Sequence, residues 1–387
     1  MNAKIDARLW VKLFLCIVIG VCLICGALVV IVDPFFHYHK PDTERFYYGI
    51  NSERNQNDGI TKHFDYDAMI TGTSMIGSFR TSQMDALFHT NSVKTVYPGG
   101  SYKEVNDNLA VAFKSNPNIK MILRGLDMNR IIPSDETLLA YLGVAPSYLY
   151  DDNVLNDVKY VLNLDVILVR VFAMLIATFS KGFVPGIDSF DTYGNLMHDV
   201  TLGMHSVCPE GVTVQPVADG KHLTADEKEN VKENTRLYVT AVAKENPDAS
   251  FYFFFTPYSA LWWQTRVESG AVYKQIEAEK VMIEEILQCP NARLFAFSGL
   301  TDITTNLNHY LDKMHYASWV NSLMLEYMHD GKCELTYDNY EAYLARELEF
   351  YTTFDYASLN NQADYADDYY AETLMKQGIL GVMPEGD

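Results

Sequence analysis

The chain has 387 residues and a formal net charge of −20, with 48 % hydrophobic and 21 % charged residues. This balance is typical of a globular protein, and the length allows one large domain or two small ones. The acidic charge argues against a nucleic-acid partner, because such a partner requires a basic face.

The first element is an apolar segment near the N-terminus. Residues 13–32 carry no charge, and an apolar stretch of this length can span a bilayer. Basic residues outnumber acidic ones in residues 1–12, so the positive-inside rule places these in the cytoplasm and the main domain outside the membrane. The alternative is a cleaved signal peptide, but its apolar core is usually shorter, and no small-x-small site precedes Asp33. The sequence therefore predicts an uncleaved single-pass anchor in the cell membrane.

Residues 33–63 are predicted to form a juxtamembrane linker. They contain a His-x-His pair, His37 and His39, which could bind a metal. Without a third ligand such a pair is more often structural, so no metal site is predicted. Three cysteines lie outside the anchor, and since three is an odd number, at most one disulfide can join them. Their pairing stays open: Cys208, Cys289 and Cys333.

A possible nucleophile follows the linker. The apolar run 68–70 predicts a buried strand, residues 71–74 read Thr-Gly-Thr-Ser, and helical character begins at Ser82. A strand, a tight turn with a serine and a helix are how α/β enzymes expose a nucleophile at the carboxyl edge of a sheet. The alternative is a turn of small residues in which Ser74 only caps the helix.

Further apolar runs alternate with helical patterns. Capping boxes at Ser101 and Thr224 mark the starts of two of the helices, and prolines at 117 and 247 end them. Strands that alternate with helices predict a parallel sheet with right-handed crossovers. The predicted strands after the first are 93–97, 119–123, 250–255 and 292–297.

The pattern lapses in two places. Residues 133–222 are predicted as an insertion, with an apolar helix over 156–181. The uncharged core of that helix, 171–180, is too short to span a membrane. That helix either is buried in the insertion or forms a surface that rests on the bilayer or on a membrane partner. Residues 336–387 are rich in Tyr, Asp and Glu and are predicted as an acidic tail, with a helix over 340–350.

A serine hydroxyl becomes a good nucleophile only when a base takes its proton. The base is usually a histidine oriented by a carboxylate. Asp312 and His315 supply both at a short spacing. They follow the last predicted strand, so a parallel sheet would bring them to the same edge as Ser74. His309 is the second candidate for the base.

Gly-Thr-Ser after the first strand and Asp-x-x-His near the end of the domain resemble the SGNH hydrolase superfamily. The chain is most similar to the membrane-anchored branch with the teichoic-acid D-alanylation protein and the alginate O-acetyltransferases. The resemblance implies a flavodoxin-like three-layer α/β fold over residues 64–335, interrupted by the helical insertion. It also implies that Ser74 is the nucleophile, His315 the base and Asp312 the acid that orients it.

The resemblance further implies an oxyanion hole. The Ser74 N–H is one donor, and Gly99 or Gly100 after the second strand supplies another. The family pattern Gly-x-Asn-Asp after the third strand is replaced by Gly125-Leu126-Asp127 here, and an ionised carboxylate cannot donate. Asn129 is the possible substitute for the missing amide.

These features predict an extracytoplasmic enzyme of serine-dependent acyl transfer or ester hydrolysis. It would move acetyl or D-alanyl-type groups on or off a cell-envelope polysaccharide or teichoic acid in a bacterial envelope. This chemistry needs no metal or organic cofactor, and the resemblance suggests a membrane-bound O-acyltransferase as partner. Two alternatives stay open: a non-catalytic accessory protein of such a complex, and a stand-alone esterase or lipase with an open apolar groove near Ser74.

Overall fold

The chain forms two compact units, and each combines two separate stretches of sequence: Met1–Phe64 with Ala145–Ser189, and Asp65–Val144 with Phe190–Asp387. The architecture is α/β, with a mostly parallel central sheet in the second unit. The computed structural model describes residues 7–132, 146–151, 153–197 and 200–362.

The described strands form two sheets. A six-stranded sheet has the order β3-β2-β4-β6-β7-β8, and its first five strands are parallel while β8 runs antiparallel to β7. A small parallel pair, β1 with β5, lies in the first unit. The strands are β1 (Tyr47–Tyr48), β2 (Ala68–Gly72), β3 (Ser92–Val96), β4 (Met121–Leu126), β5 (Gly186–Ile187), β6 (Ser250–Phe255), β7 (Ala292–Ala296) and β8 (Glu334–Leu335).

Helices make up most of the remaining described chain. Three of them continue from or into a π-helical turn, at Val166–Val171 and Arg236–Thr240. The α-helices are α1 (Ala7–Val32), α2 (Glu53–His63), α3 (Thr81–Phe88), α4 (Tyr102–Ser115), α5 (Val158–Val161), α6 (Phe172–Ser180), α7 (Met204–Val207), α8 (Ala225–Thr235), α9 (Ala241–Glu245), α10 (Ala260–Glu268), α11 (Val272–Ile286), α12 (Thr301–Thr304), α13 (Ser318–His329) and α14 (Tyr340–Thr353).

The predicted strands are all present, and so is the parallel arrangement. Strands β2, β3 and β4 are buried along their whole length, and β6 contributes four buried phenylalanines. A parallel strand covered on both faces is often a nearly continuous apolar run, which made β2 and β6 recognisable. Because successive right-handed crossovers go from β2 to β3 and then back to β4, helices α3 and α4 cover opposite faces of the sheet.

The first unit is built on α1. This helix is long and apolar enough to cross a membrane, although a signal sequence near the N-terminus has the same character. Asp33 ends it and accepts hydrogen bonds from the N–H groups of His37, Tyr38 and His39. The predicted linker is therefore structured, and helix α2 within it buries polar residues, which explains why no apolar periodicity revealed it.

The predicted insertion is divided between the two units, and the first part of the predicted tail is folded. Residues 145–189 belong to the first unit by their contacts, whereas 190–222 belong to the second. The predicted helix at 340–350 is present as α14, which packs on α10 and α11. Tyr356 and Leu359 beyond it are also buried. The remainder of the predicted tail, 363–387, and part of the insertion, 133–145, lie outside the described residues.

Candidate active site

Ser74 lies in a tight turn at the carboxyl end of β2. Strand β2 ends at Gly72, and Ser74 begins a short 3-10 turn, Ser74–Ile76. The Thr73 side chain caps that turn by accepting the Met75 N–H. A Cβ atom at Gly72, whose φ is +154°, would meet Ile76 at 3.0 Å, so the close turn favours glycine. The predicted strand and turn are thus in place, and the serine is partly accessible.

The structure brings Ser74, His315 and Asp312 into one hydrogen-bonded chain. Ser74 Oγ lies 2.8 Å from His315 Nε2, and His315 Nδ1 lies 2.7 Å from Asp312 Oδ2. In the tautomer whose Nδ1–H donates to Asp312, Nε2 is unprotonated and accepts the serine hydroxyl proton. A serine, a histidine and a carboxylate in this order can activate the hydroxyl as a nucleophile.

The Asp312 carboxylate is fixed by the loop that carries it. Its Oδ1 accepts the backbone N–H groups of Met314 at 2.7 Å and His315 at 2.8 Å. Burial alone would raise the pKa of Asp312, but the hydrogen bonds from the His315 ring and from these N–H groups hold that pKa below its usual range. The carboxylate is therefore ionised where it faces the imidazole.

The loop after β6 positions the Asp312–His315 loop. Ser259 binds the Lys313 carbonyl twice, through its N–H at 3.1 Å and its hydroxyl at 2.8 Å. The Tyr310 hydroxyl donates to the Pro257 carbonyl at 2.8 Å. Both loops lie at the carboxyl edge of the sheet, so the position of His315 depends on the loop after β6, which supplies none of Ser74, His315 and Asp312.

The oxyanion-hole candidates differ in their hydrogen bonds. The Gly100 N–H donates to the Tyr97 carbonyl at 2.7 Å, so it is engaged in a turn. Among the described residues, the backbone N–H groups of Ser74 and Gly99 have no acceptor. Of the two glycines, Gly99 is therefore the better donor to a ligand. The Asn129 N–H is bound to Asp127, and its side-chain oxygen accepts from Arg266 at 2.8 Å.

Asp127 joins the loops around the site. Its carboxyl accepts the Thr73 hydroxyl at 3.1 Å, the Asn129 N–H at 3.1 Å and the Tyr258 hydroxyl. Burial raises the pKa of Asp127, which these hydrogen bonds partly oppose. The carboxyl thus connects the segments after β2, β4 and β6, a structural role that the sequence did not indicate.

Two further side chains hold the serine turn. The Tyr316 hydroxyl and the Asn321 amide both donate to the Met75 carbonyl, at 3.0 and 3.1 Å. Sequence analysis missed these residues because a tyrosine and an asparagine next to a helix start carry no motif. Their proximity in sequence to His315 is the one available signal.

The space beside the serine is small. A cavity of about 10 Å³ adjoins Ser74. It is about large enough for one water molecule. A larger cavity of about 810 Å³ lies beside α14, and none of Ser74, His315 and Asp312 lines it. The volume of a cavity therefore does not identify the candidate active site. The small cavity is lined by Ser74, Met75, Ser78, Leu196, Met197, His315, Tyr316 and Asn321.

The remaining candidates lie elsewhere. His309 is buried and contacts the Ile303 carbonyl, and burial lowers its pKa to about 4. His37 contacts Asp157, and His39 contacts backbone carbonyls. Within the described residues there is no group of three or more His, Cys, Asp or Glu that could hold a metal. The cysteines outside the anchor are free thiols: Cys208, Cys289 and Cys333.

Comparisons with known proteins identify no family. No family model matches the sequence, and no curated protein matches it. Among solved structures, the chain is similar to one described as "a putative platelet activating factor from Streptococcus pneumonia". That likeness has 10 % sequence identity and a TM-score of 0.37, and it covers 72 % of this chain and 90 % of the other.

Proposed function

We propose that this protein is a serine-dependent acyltransferase or esterase of the SGNH type. The observation that carries the proposal is the continuous chain from Ser74 Oγ through the His315 ring to the Asp312 carboxylate, with both distances below 3 Å. The strand order supports the fold assignment, since the five parallel strands renumbered along the chain read 2-1-3-4-5, the flavodoxin-like order.

The chemistry follows from this geometry. Ser74 Oγ attacks the carbonyl carbon of an ester donor while its proton moves to His315 Nε2. The tetrahedral intermediate collapses, and the leaving alcohol takes that proton, which leaves an acyl group on Ser74. An acceptor hydroxyl then gives its proton to His315 and attacks the acyl carbon. Ser74 leaves and regains the proton, so the acyl group has moved to the acceptor.

Two backbone donors are available for the oxyanion. The N–H groups of Ser74 and Gly99 have no acceptor among the described residues. One such donor is worth about 3 kcal/mol of barrier in enzymes of this kind. Asp127 does not supply a third donor, because its two oxygens already accept three hydrogen bonds. Two donors are enough to support acyl transfer.

The small cavity favours a short acyl group. A space of about 10 Å³ beside Ser74 admits a group of about the size of a methyl, not a fatty-acid chain. This supports a short acyl group such as acetyl and weighs against a lipase, which needs an open apolar groove. The acceptor would be a hydroxyl of a cell-envelope polysaccharide or teichoic acid, and a membrane-bound O-acyltransferase would supply the acyl group.

One observation favours a second candidate, a non-catalytic accessory protein. Asp127 replaces the amide donor of the related enzymes, and its hydrogen bonds make it a structural connection. Such a protein would bind the polymer or the acyl carrier at the same edge of the sheet and would not form an acyl-serine.

A fluorophosphonate probe separates these candidates. The probe bonds to an activated serine oxygen and releases fluoride, so the full-length protein in detergent should be labelled at Ser74. Labelling should be absent in Ser74→Ala and strongly slowed in His315→Ala. Ser78→Ala is the matched control, because Ser78 lines the same cavity but donates to Asn195. A folded wild type that is not labelled, or that is labelled equally after Ser74→Ala, contradicts the proposal.

A further inference from the structure

The apolar helix Val166–Ser180 in the first unit has no polar side. Its inner side is buried through residues such as Val166, Val171 and Met174. A helix on the surface of a soluble protein is normally polar on the opposite side. Here the opposite side is also apolar, and its large side chains are 44–63 % exposed: Leu168, Val169, Phe172, Ile176 and Phe179.

The exposed apolar surface extends beyond this helix. Flanking residues on both sides are large, apolar and exposed, with values up to 88 %. Monomeric soluble proteins rarely expose a continuous apolar area of this kind. We call the whole set the outer apolar face, and it consists of Leu168, Val169, Phe172, Ile176 and Phe179 together with Val154, Leu155, Val158, Leu162, Leu164, Phe183 and Val184.

Few charged groups lie beside this face, and Lys159 is an exposed one among the flanking residues. Arg170 is the one charged residue within Val166–Ser180, and its guanidinium donates to Asn51 at 3.0 Å and lies over the Phe35 ring. Lys181 follows the helix and lies over the Tyr47 ring. Asp165 precedes the helix. The exposed side of helix Val166–Ser180 therefore presents large apolar side chains.

Contacts within the first unit place this face beside the C-terminal end of α1. Helix α1 packs against α5 and against the π-helical turn Val166–Val171. A Cβ atom at Gly26 would lie 3.9 Å from both Val161 and Leu162, and Val29 and Val32 are buried. The contact therefore involves the last seven residues of the apolar segment, which rise about 10 Å along the helix axis.

We propose that the outer apolar face is immersed in the acyl chains of one bilayer leaflet, the leaflet at the C-terminal end of α1. If α1 spans the membrane, the segments that pack on its last turns lie at the same depth as those turns. At that depth the groups around the exposed side chains are lipid tails. Helix Val166–Ser180 has fifteen residues, too few to cross the bilayer, so it lies within one leaflet.

This arrangement holds the whole first unit against the membrane. Transfer of large apolar side chains from water into lipid is favourable, so the face adds to the membrane affinity of α1. Hydrogen bonds from Tyr160 to Asp33 at 2.8 Å and from the Phe35 N–H to Tyr160 at 3.1 Å connect this layer to the end of α1. The anchor is therefore a rigid base rather than a flexible tether.

Crosslinking from the lipid tails tests the proposal. The full chain is reconstituted in nanodiscs of phosphatidylcholine that contain a phospholipid with a diazirine at the end of one acyl chain. After irradiation, the crosslinked peptides are mapped by mass spectrometry. We expect crosslinks within residues 154–184 as well as within α1. Crosslinks confined to α1 would overturn the proposal and assign the face to a protein partner, and crosslinks in neither segment would also overturn it.

A pair of variants adds a second readout. Ile176→Lys places a charge on the outer apolar face, whereas Leu237→Lys changes an apolar side chain of 49 % exposure in the second unit. We expect Ile176→Lys to reduce the crosslinking of residues 154–184 several-fold while α1 stays labelled. Leu237→Lys should change nothing. Equal crosslinking in wild type and Ile176→Lys would contradict immersion of this face.

Discussion

Ser74, His315 and Asp312 depend on their neighbours for their arrangement. The Met75 carbonyl is held by Tyr316 and Asn321, and the Lys313 carbonyl is held by Ser259. Each of these bonds joins two segments that are far apart in the sequence. A catalytic chain needs its groups within a few tenths of an ångström of the productive geometry, and such bonds provide that precision.

Asp312→Asn tests the orienting role of the carboxylate. The amide oxygen can still accept the Met314 and His315 N–H groups, so the loop should keep its shape, but the negative charge beside the His315 ring is lost. We expect the rate of fluorophosphonate labelling to fall by about 10²–10⁴-fold. Asp302→Asn, at an exposed position, is the control and should label at the rate of wild type. Equal rates for both variants would exclude the assigned role of Asp312.

At the scale of elements, two segments meet at Gly77. A Cβ atom at this position would lie 2.1 Å from the Gly194 carbonyl oxygen, so the serine turn and the segment with Leu196 and Met197 touch through glycine backbones. This contact brings the two apolar side chains over Ser74. The site is therefore closed by a segment that belongs to no regular element.

Gly77→Ala should disturb this contact. Overpacking in a tight contact typically costs about 1–3 kcal/mol, so we expect a lower unfolding free energy and slower labelling of Ser74. Gly299→Ala is the matched control, because its new Cβ would lie 3.5 Å from Tyr343, an ordinary contact distance. Denaturant unfolding followed by circular dichroism measures the effect. Equal stability of the two variants would contradict the close packing at Gly77.

Helices α11 and α14 share a buried pair of acids. The carboxyls of Glu279 and Glu347 are both buried and interact electrostatically with each other. Burial raises the pKa of Glu347 to about 7, and burial together with the Glu347 charge raises the pKa of Glu279 well above its ordinary value. The pair therefore holds at least one proton at neutral pH, in contrast to carboxyls in the unfolded chain.

This pair predicts how stability depends on pH. The folded pKa of Glu347 exceeds the unfolded value of 4.5, so its contribution is fully present below about pH 4.5 and is lost as pH rises through about 7. We expect the unfolding free energy to fall by about 1–3 kcal/mol across this window. Glu347→Gln should flatten the dependence, whereas Glu349→Gln, which is exposed, should leave it unchanged. Urea unfolding at several pH values provides the measurement.

The sequence predicted those elements whose signal is local. Strands such as β2 and β6 were recognisable because each is mainly one apolar run, and Asp312 with His315 because they lie three positions apart. Strand β8 was not, since two residues in an antiparallel pair carry no pattern. Helix α2 buries Gln56, Asn57 and Asp58, so its inner side does not look apolar. The contact of Leu196 with the site depends entirely on tertiary packing.

At the scale of the whole molecule, the proposed function depends on which side of a membrane the second unit lies. The charges before α1 predict that the second unit lies outside the cytoplasm. Residues 213–222 of that unit are exposed and lie outside the helices and strands, which makes them accessible to a protease. The orientation can therefore be tested in intact cells.

Trypsin added to spheroplasts should cleave after Lys221, which is exposed in this segment. A tag at the N-terminus would then report a shortened, membrane-bound fragment. Permeabilised cells are the control and should give the same fragment. If cleavage requires permeabilisation, the second unit is cytoplasmic, and an acceptor in the cell envelope is excluded.

The central claim is that Ser74 carries an acyl group during the reaction, and trapping that intermediate tests it most directly. The full-length protein is incubated with p-nitrophenyl acetate, quenched in acid and analysed by peptide mass spectrometry. The account predicts one acetyl group on the peptide that contains Ser74, retained in Ser78→Ala and absent in Ser74→Ala. A folded protein that hydrolyses the ester without acetylating Ser74, or that carries the acetyl group elsewhere, would contradict it.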